Sequence, residues 1–146
     1  MCGRRSFPGI FTLMSEPSSD SSAHISPILL VACLCARWCR TCDTYRATLN
    51  AVRAELRRTR PHAHLRFLWI DIEDEAALIG DLDIENFPTI LLASDEQGLF
   101  LGPVMPHAAA LDRLILAALD GDLPPVTLPE GDAATLPARL AEHTDL

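Results

Sequence analysis

The sequence predicts an α/β domain of order βαβαββα, with a mixed four-stranded sheet and helices on both of its faces. Three observations predict it. Ile28 to Leu34 is a continuous apolar run, the pattern of a central strand buried on both sides. Cys42, Tyr45, Leu49, Val52 and Leu56 then recur three and four apart, which is one face of a helix. Leu65 to Ile72 supplies a second strand, reached through that helical crossover and therefore parallel to the first.

The remaining elements follow in order. Arg53, Arg57 and Arg58 fall toward the end of the first helix, where cations suit the dipole, and Pro61 ends it. The arginine cluster, which also includes Arg60 and Arg66, reads as solvation and helix capping rather than a docking patch. Glu73 to Leu82 is acidic and helix-prone, with Leu78, Ile79 and Leu82 as its apolar face. Thr89 to Ala93 and Leu99 to Leu101 form a hairpin around the turn Asp95-Glu96-Gln97-Gly98. Leu111, Leu114, Ile115, Ala118 and Leu119 mark a last amphipathic helix closed by Gly121. The strands are expected in the order 2-1-3-4.

This places one domain at 28–121. Residues 1–27 include Glu16 to Ser22, too polar to order itself by burial, and are expected to be disordered or poorly ordered. Met14 offers an alternative start, which would make the residues before it an extension and Cys2 irrelevant. Residues 122–146 are a Pro-rich extension with room for a short helix from Pro137 to His143.

With 146 residues there is length for one proper core. A net charge of −8 argues against nucleic acid or a membrane surface held by charge. The longest apolar run falls far short of the ~20 residues a membrane span needs, and no signal-peptide pattern is expected. Four of the five cysteines crowd into residues 33–42, which is no spaced disulfide framework. The expected setting is a reducing, cytoplasmic compartment with one reactive pair.

That pair is Cys39 and Cys42. Both stand where the first strand turns into the first helix. A helix N-terminus presents free N–H groups and partial positive charge, which stabilise a thiolate. Cys39 at the helix start can attack an external disulfide. Cys42, roughly one turn on, can attack the mixed disulfide and release the reduced partner. Cys39 is expected to be the more exposed and more acidic thiol, and Cys42 the buried one. A zinc site is the alternative for such spacing, but it needs two more ligands, and His62 and His64 do not form a knuckle.

Trp38-Cys39-Arg40-Thr41-Cys42, followed by Phe87-Pro88-Thr89, resembles the thioredoxin superfamily over about residues 28–120. The resemblance implies a thioredoxin-like fold and a thiol–disulfide oxidoreductase acting on protein disulfides, with no cofactor. An unidentified reductase or thiol donor would restore it. Catalysis falls to Cys39 and Cys42, and substrate contact to Trp38, Arg40, Thr41, Phe87, Pro88 and Thr89. The second motif looks like the family's cis-proline loop. Arg40 stands where well-known members have glycine, and its charge is expected to favour the reduced state.

The chain also departs from the pattern. The family's buried acid aligns with Cys33, and its lysine partner with Phe67. Cys33 and Cys35 share one strand face and are read as small buried hydrophobes. The alternatives are a binding or chaperone module with little redox turnover, and a metal site using Cys33, Cys35, Cys39 and Cys42.

Overall fold

The computed structural model describes residues 28–143. The expected order of residues 1–27 lies outside them. β1 (Leu29–Cys35) is followed by α1 (Arg40–Thr59), β2 (Leu65–Asp71), α2 (Ala76–Ile79), β3 (Thr89–Ser94), β4 (Gln97–Pro103), α3 (Ala108–Leu119) and α4 (Asp132–Leu140). The strands lie in the order β2-β1-β3-β4, as the sequence predicts. β1 pairs parallel with β2, Cys33 opposite Trp69 and Cys35 opposite Asp71. It pairs antiparallel with β3, and β3 with β4. Among the described residues, no helix is long and apolar enough to cross a membrane.

β1 is buried along its whole length, because both of its faces are covered. Leu29, Val31, Cys33 and Cys35 face the buried side of α1 (Cys42, Tyr45, Leu49, Val52 and Leu56) and Leu111 and Ile115 of α3. Leu30, Ala32 and Leu34 point the other way, toward Ile79 of α2 and Leu136 and Leu140 of α4. Strand alternation thus deals the cysteines of β1 to the α1 side.

Two helices differ from the sequence reading. α2 is a single turn, Ala76–Ile79, ended by Gly80 at φ 63°. The acidic residues before it are used otherwise: Asp71 accepts hydrogen bonds from the backbone N–H groups of Glu73 and Asp74, a turn that competes with helix. α4 begins at Asp132, and Pro137 lies inside it. Pro137 is in the helix's second turn, where its missing N–H leaves the Ala133 carbonyl without its ladder donor.

Residues 122–143 are therefore packed over much of their length. Asp81 and Asp132 exchange bonds, each carboxylate accepting from the other's backbone N–H, at 2.7 and 3.0 Å. Gly131, at φ 94°, lies so close that a Cβ would stand 2.6 Å from Asp81 Oδ2. Arg139 donates to the carbonyls of Leu78 and Asp132, and Arg66 to those of Ala141 and His143. The Val126 N–H bonds the Gly98 carbonyl on β4 at 2.9 Å. Much of the arginine cluster is tied down in the same way, Arg60 to Asp120 at 3.2 Å and Arg58 to Glu55.

The hairpin turn is tighter than the sequence reading. Ser94 pairs with Gln97, leaving Asp95 and Glu96 as a two-residue loop, both at positive φ. That backbone matches the twist of the flanking strands.

Candidate active site

The site is built at the end of β1. Ala36 leaves the strand, its carbonyl accepts the Cys39 N–H at 3.0 Å, and Cys39 becomes the N-cap of α1 with extended backbone. The Cys39 carbonyl then accepts the N–H groups of Cys42 and Asp43, at 3.1 and 3.3 Å, closing the first turn. This leaves Cys39 half-buried at the helix tip, and Cys42 in the core with 2% of its surface exposed. The exposure order is the expected one.

The pairing is not the expected one. Cys42 is joined in a disulfide to Cys35, with Cα atoms 5.9 Å apart, while Cys39 and Cys33 are free thiols. Cys35 is therefore no mere space-filler, as the strand pattern suggested. It points toward α1, and the first turn of α1 carries Cys42 across its face. Cys33, one pleat earlier on that face, places its sulfur 3.6 Å from that of Cys35. The proposed four-cysteine metal site loses two of its thiols to this bond. Among the described residues, no group of three or more His, Cys, Asp or Glu side chains could hold a metal ion.

The second motif stands beside the helix tip. The Trp38 and Phe87 rings meet edge to face with centroids 5.5 Å apart. Trp38 is nonetheless 66% exposed, so most of its ring faces solvent. The Phe87–Pro88 peptide is cis, and the Pro88 carbonyl accepts the Val104 N–H at 3.2 Å. Thr89 is buried, its hydroxyl donating to the Asn86 carbonyl at 2.6 Å. Arg40 and Thr41 are exposed on the first turn of α1. The structure thus brings Trp38, Cys39 and Phe87 to one end of the sheet. Trp69 on β2 is half-buried, packs against the core and carries the Arg46 guanidinium over its ring at 5.1 Å.

A cleft of about 370 Å³ adjoins Cys42 and is lined by Asp43, Arg46, Trp69, Asp71 and Asp74 among others. It supplies carboxylates on the Cys42 side, in a chain that has Cys33 at the family's acidic position. Sequence reasoning passed over Asp71; the available signal was a carboxylate near the end of the apolar run Leu65 to Ile72, and only the register places it opposite Cys35.

Burial dominates the chemistry under the site. It pushes the Cys33 thiol well above its usual range. It does the same to the Tyr45 hydroxyl, with the Cys33 charge adding to the shift. The Tyr45 hydroxyl is buried and makes no hydrogen bond among the described residues. In the folded chain both groups keep their protons where the unfolded chain would lose them. The unfolded state then binds fewer protons, so stability falls as pH rises above about 9, by up to about 1.4 kcal/mol per pH unit for each group. Urea unfolding between pH 7 and pH 11 should show this decline, and Cys33→Ala or Tyr45→Phe should each flatten it. An unchanged slope in both variants would show that neither group causes it.

The thioredoxin family model matches residues 19–109. Chloroplastic thioredoxin z is similar in structure at 20% identity, with a TM-score of 0.53, covering 64% of this chain and 80% of its own. Mitochondrial thioredoxin 3 of Saccharomyces cerevisiae, in its oxidised form, has 23% identity and a TM-score of 0.47 over 60% of this chain and 76% of its own. No curated protein matches the chain in sequence. With the family model matching more than half of its length, the chain belongs to the thioredoxin family.

Proposed function

We propose that this protein is a thiol–disulfide oxidoreductase that reduces or exchanges disulfides of protein substrates through Cys39 and Cys42. The observation that carries the reading is the half-buried Cys39 thiol, free at the N-terminus of α1, with Cys42 one turn on; Cys42 is bonded to Cys35 here and acts on Cys39 once that bond is reduced. Family membership supports it, since proteins of this fold are generally disulfide oxidoreductases.

The Cys39 thiolate attacks one sulfur of the substrate disulfide, forming a mixed disulfide and expelling the other sulfur as a thiolate. The Cys42 thiolate attacks Cys39 Sγ, forming the Cys39–Cys42 bond and expelling the second substrate thiolate. Two electrons pass to the substrate, and an external thiol donor returns them. Trp38 and Phe87 provide an apolar edge beside the attacking sulfur, suited to a peptide segment next to a disulfide. We assign the protein to a reducing, cytoplasmic setting, where such a donor is available.

Insulin reduction driven by dithiothreitol tests the reading. The protein should accelerate precipitation of the insulin B chain well above the rate with dithiothreitol alone. A rate equal to that background would overturn the oxidoreductase reading in favour of a binding module.

A further inference from the structure

Cys35 is the residue that the Cys39–Cys42 cycle does not use. Its sulfur is bonded to Cys42, its side chain is 1% exposed, and Cys33 stands 3.6 Å from it as the next thiol on the same strand face. The bond leaves Cys39, the least buried member of the cluster, as a free thiol. Cys42 thus has two partners within reach, one across the β1–α1 contact and one a turn back along its own helix.

We propose that Cys35 is a third redox cysteine, which takes over Cys42 after substrate reduction and returns Cys39 as a free thiol. The proposal rests on the oxidoreductase reading above. The step balances as an isomerisation. After turnover the Cys39–Cys42 disulfide is in place. The Cys35 thiolate attacks Cys42 Sγ, the Cys35–Cys42 bond forms, the Cys39–Cys42 bond breaks, and the electron pair leaves on Cys39 Sγ. The proton lost by Cys35 is matched by one gained at Cys39 through solvent, with no net oxidation. Over the full cycle two electrons and two protons pass from Cys35 and Cys42 to the substrate disulfide.

The surroundings favour this end state. Cys39 sits at the tip of α1, where peptide N–H groups and the helix dipole stabilise a departing thiolate. Cys35 and Cys42 lie in the apolar layer between β1 and α1, where a disulfide leaves no charge to desolvate. Cys33 stays protonated there and is placed to donate a hydrogen bond to the Cys35 sulfur. In the relayed state Cys42 can no longer resolve a mixed disulfide on Cys39. The protein then holds a captured thiol partner instead of releasing it.

The sequence makes the test direct, because trypsin cuts after Arg37, Arg40 and Arg46. Cys39 then lies in peptide 38–40, Cys42 in 41–46, and Cys33 with Cys35 in the peptide ending at 37. Fully reduced wild-type protein is mixed with hydroxyethyl disulfide, quenched in acid at intervals, alkylated with N-ethylmaleimide and mapped without reduction. Fragmentation of the linked peptide distinguishes Cys35 from Cys33. The expected course is an early 38–40 to 41–46 linkage that decays as 41–46 becomes linked to Cys35, with Cys39 ending alkylated. Cys39→Ser should form the Cys35–Cys42 bond at least about tenfold more slowly, because the buried pair is then cut off from its exposed entry thiol. Cys35→Ala should stop at the 38–40 to 41–46 linkage.

If wild-type protein reduces insulin but ends as Cys39–Cys42, the relay is overturned and the oxidoreductase reading stands. Equal Cys35–Cys42 formation in wild type and Cys39→Ser also overturns the relay, by making that bond an independent structural crosslink. Failure of the wild type to reduce insulin overturns both. The wild-type map needs no variant to fold.

Discussion

Cys39→Ser lowers insulin reduction to the dithiothreitol background, a loss of at least about 100-fold in the protein-dependent rate. The hydroxyl that replaces the thiol does not ionise near neutral pH and does not attack sulfur. No neighbour can substitute for it: Cys33, Cys35 and Cys42 have at most 2% of their surfaces exposed, too little to meet a folded substrate. Cys42→Ser behaves differently. It leaves the first attack intact and removes resolution, so a mixed disulfide on Cys39 accumulates and is visible by mass under non-reducing conditions. Retention of more than a tenth of the wild-type rate by Cys39→Ser would move the attacking role to another residue. The two variants together separate attack from resolution, which a single rate cannot do.

Leu136→Ala destabilises the fold by about 3 kcal/mol, within the 2–5 kcal/mol typical of a fully buried leucine. Leu136 is 0% exposed and packs in the layer formed by Leu30, Ala32 and Leu34 of β1 with Leu68, Ile70 and Leu91. Its removal opens a cavity that the paired Asp81 and Asp132 and the Arg139 contacts hold open, because they fix α4 at both ends. The urea midpoint should drop by at least about 1 M, given slopes of 1–3 kcal/mol per molar for domains of this size. A loss below 1 kcal/mol would mean that α4 does not cover the second face of the sheet. The exposed neighbour Ala134→Ser serves as the control and should change little.

Most of the scaffold was legible because local signals and burial agree. The run Ile28 to Leu34 reads as a strand buried on two sides, and β1 is one, displaced by a single residue. The spacing of Cys42, Tyr45, Leu49, Val52 and Leu56 returned the buried face of α1 without error. α4 was harder. Its apolar residues Ala133, Leu136 and Leu140 keep helical spacing, but Pro137 lies among them and invites a later start. Its docking depends on Asp81, about fifty positions away, which no local pattern indicates. α2 was overextended because acidic residues favour a helix N-terminus and an Asx turn alike.

The site was legible by motif and misread by partner. Alternation put Cys33 and Cys35 on one strand face. Which of them meets Cys42 depends on how α1 crosses β1, a tertiary fact. The two-residue spacing of Cys39 and Cys42 is a strong local cue, and it hid a partner on the adjoining strand.

The placement of the aromatic residues has an optical consequence. The chain has two tryptophans and they sit in unlike surroundings. Trp38 is mostly open to water at the rim beside Cys39, whereas Trp69 is half-covered beneath a guanidinium. Emission from the first is therefore red-shifted in the unliganded protein and moves to shorter wavelength when a peptide covers its ring. Trp69 supplies a steadier reference signal. A titration followed at the two ends of the emission band would read occupancy of the rim directly, with no label attached to a cysteine.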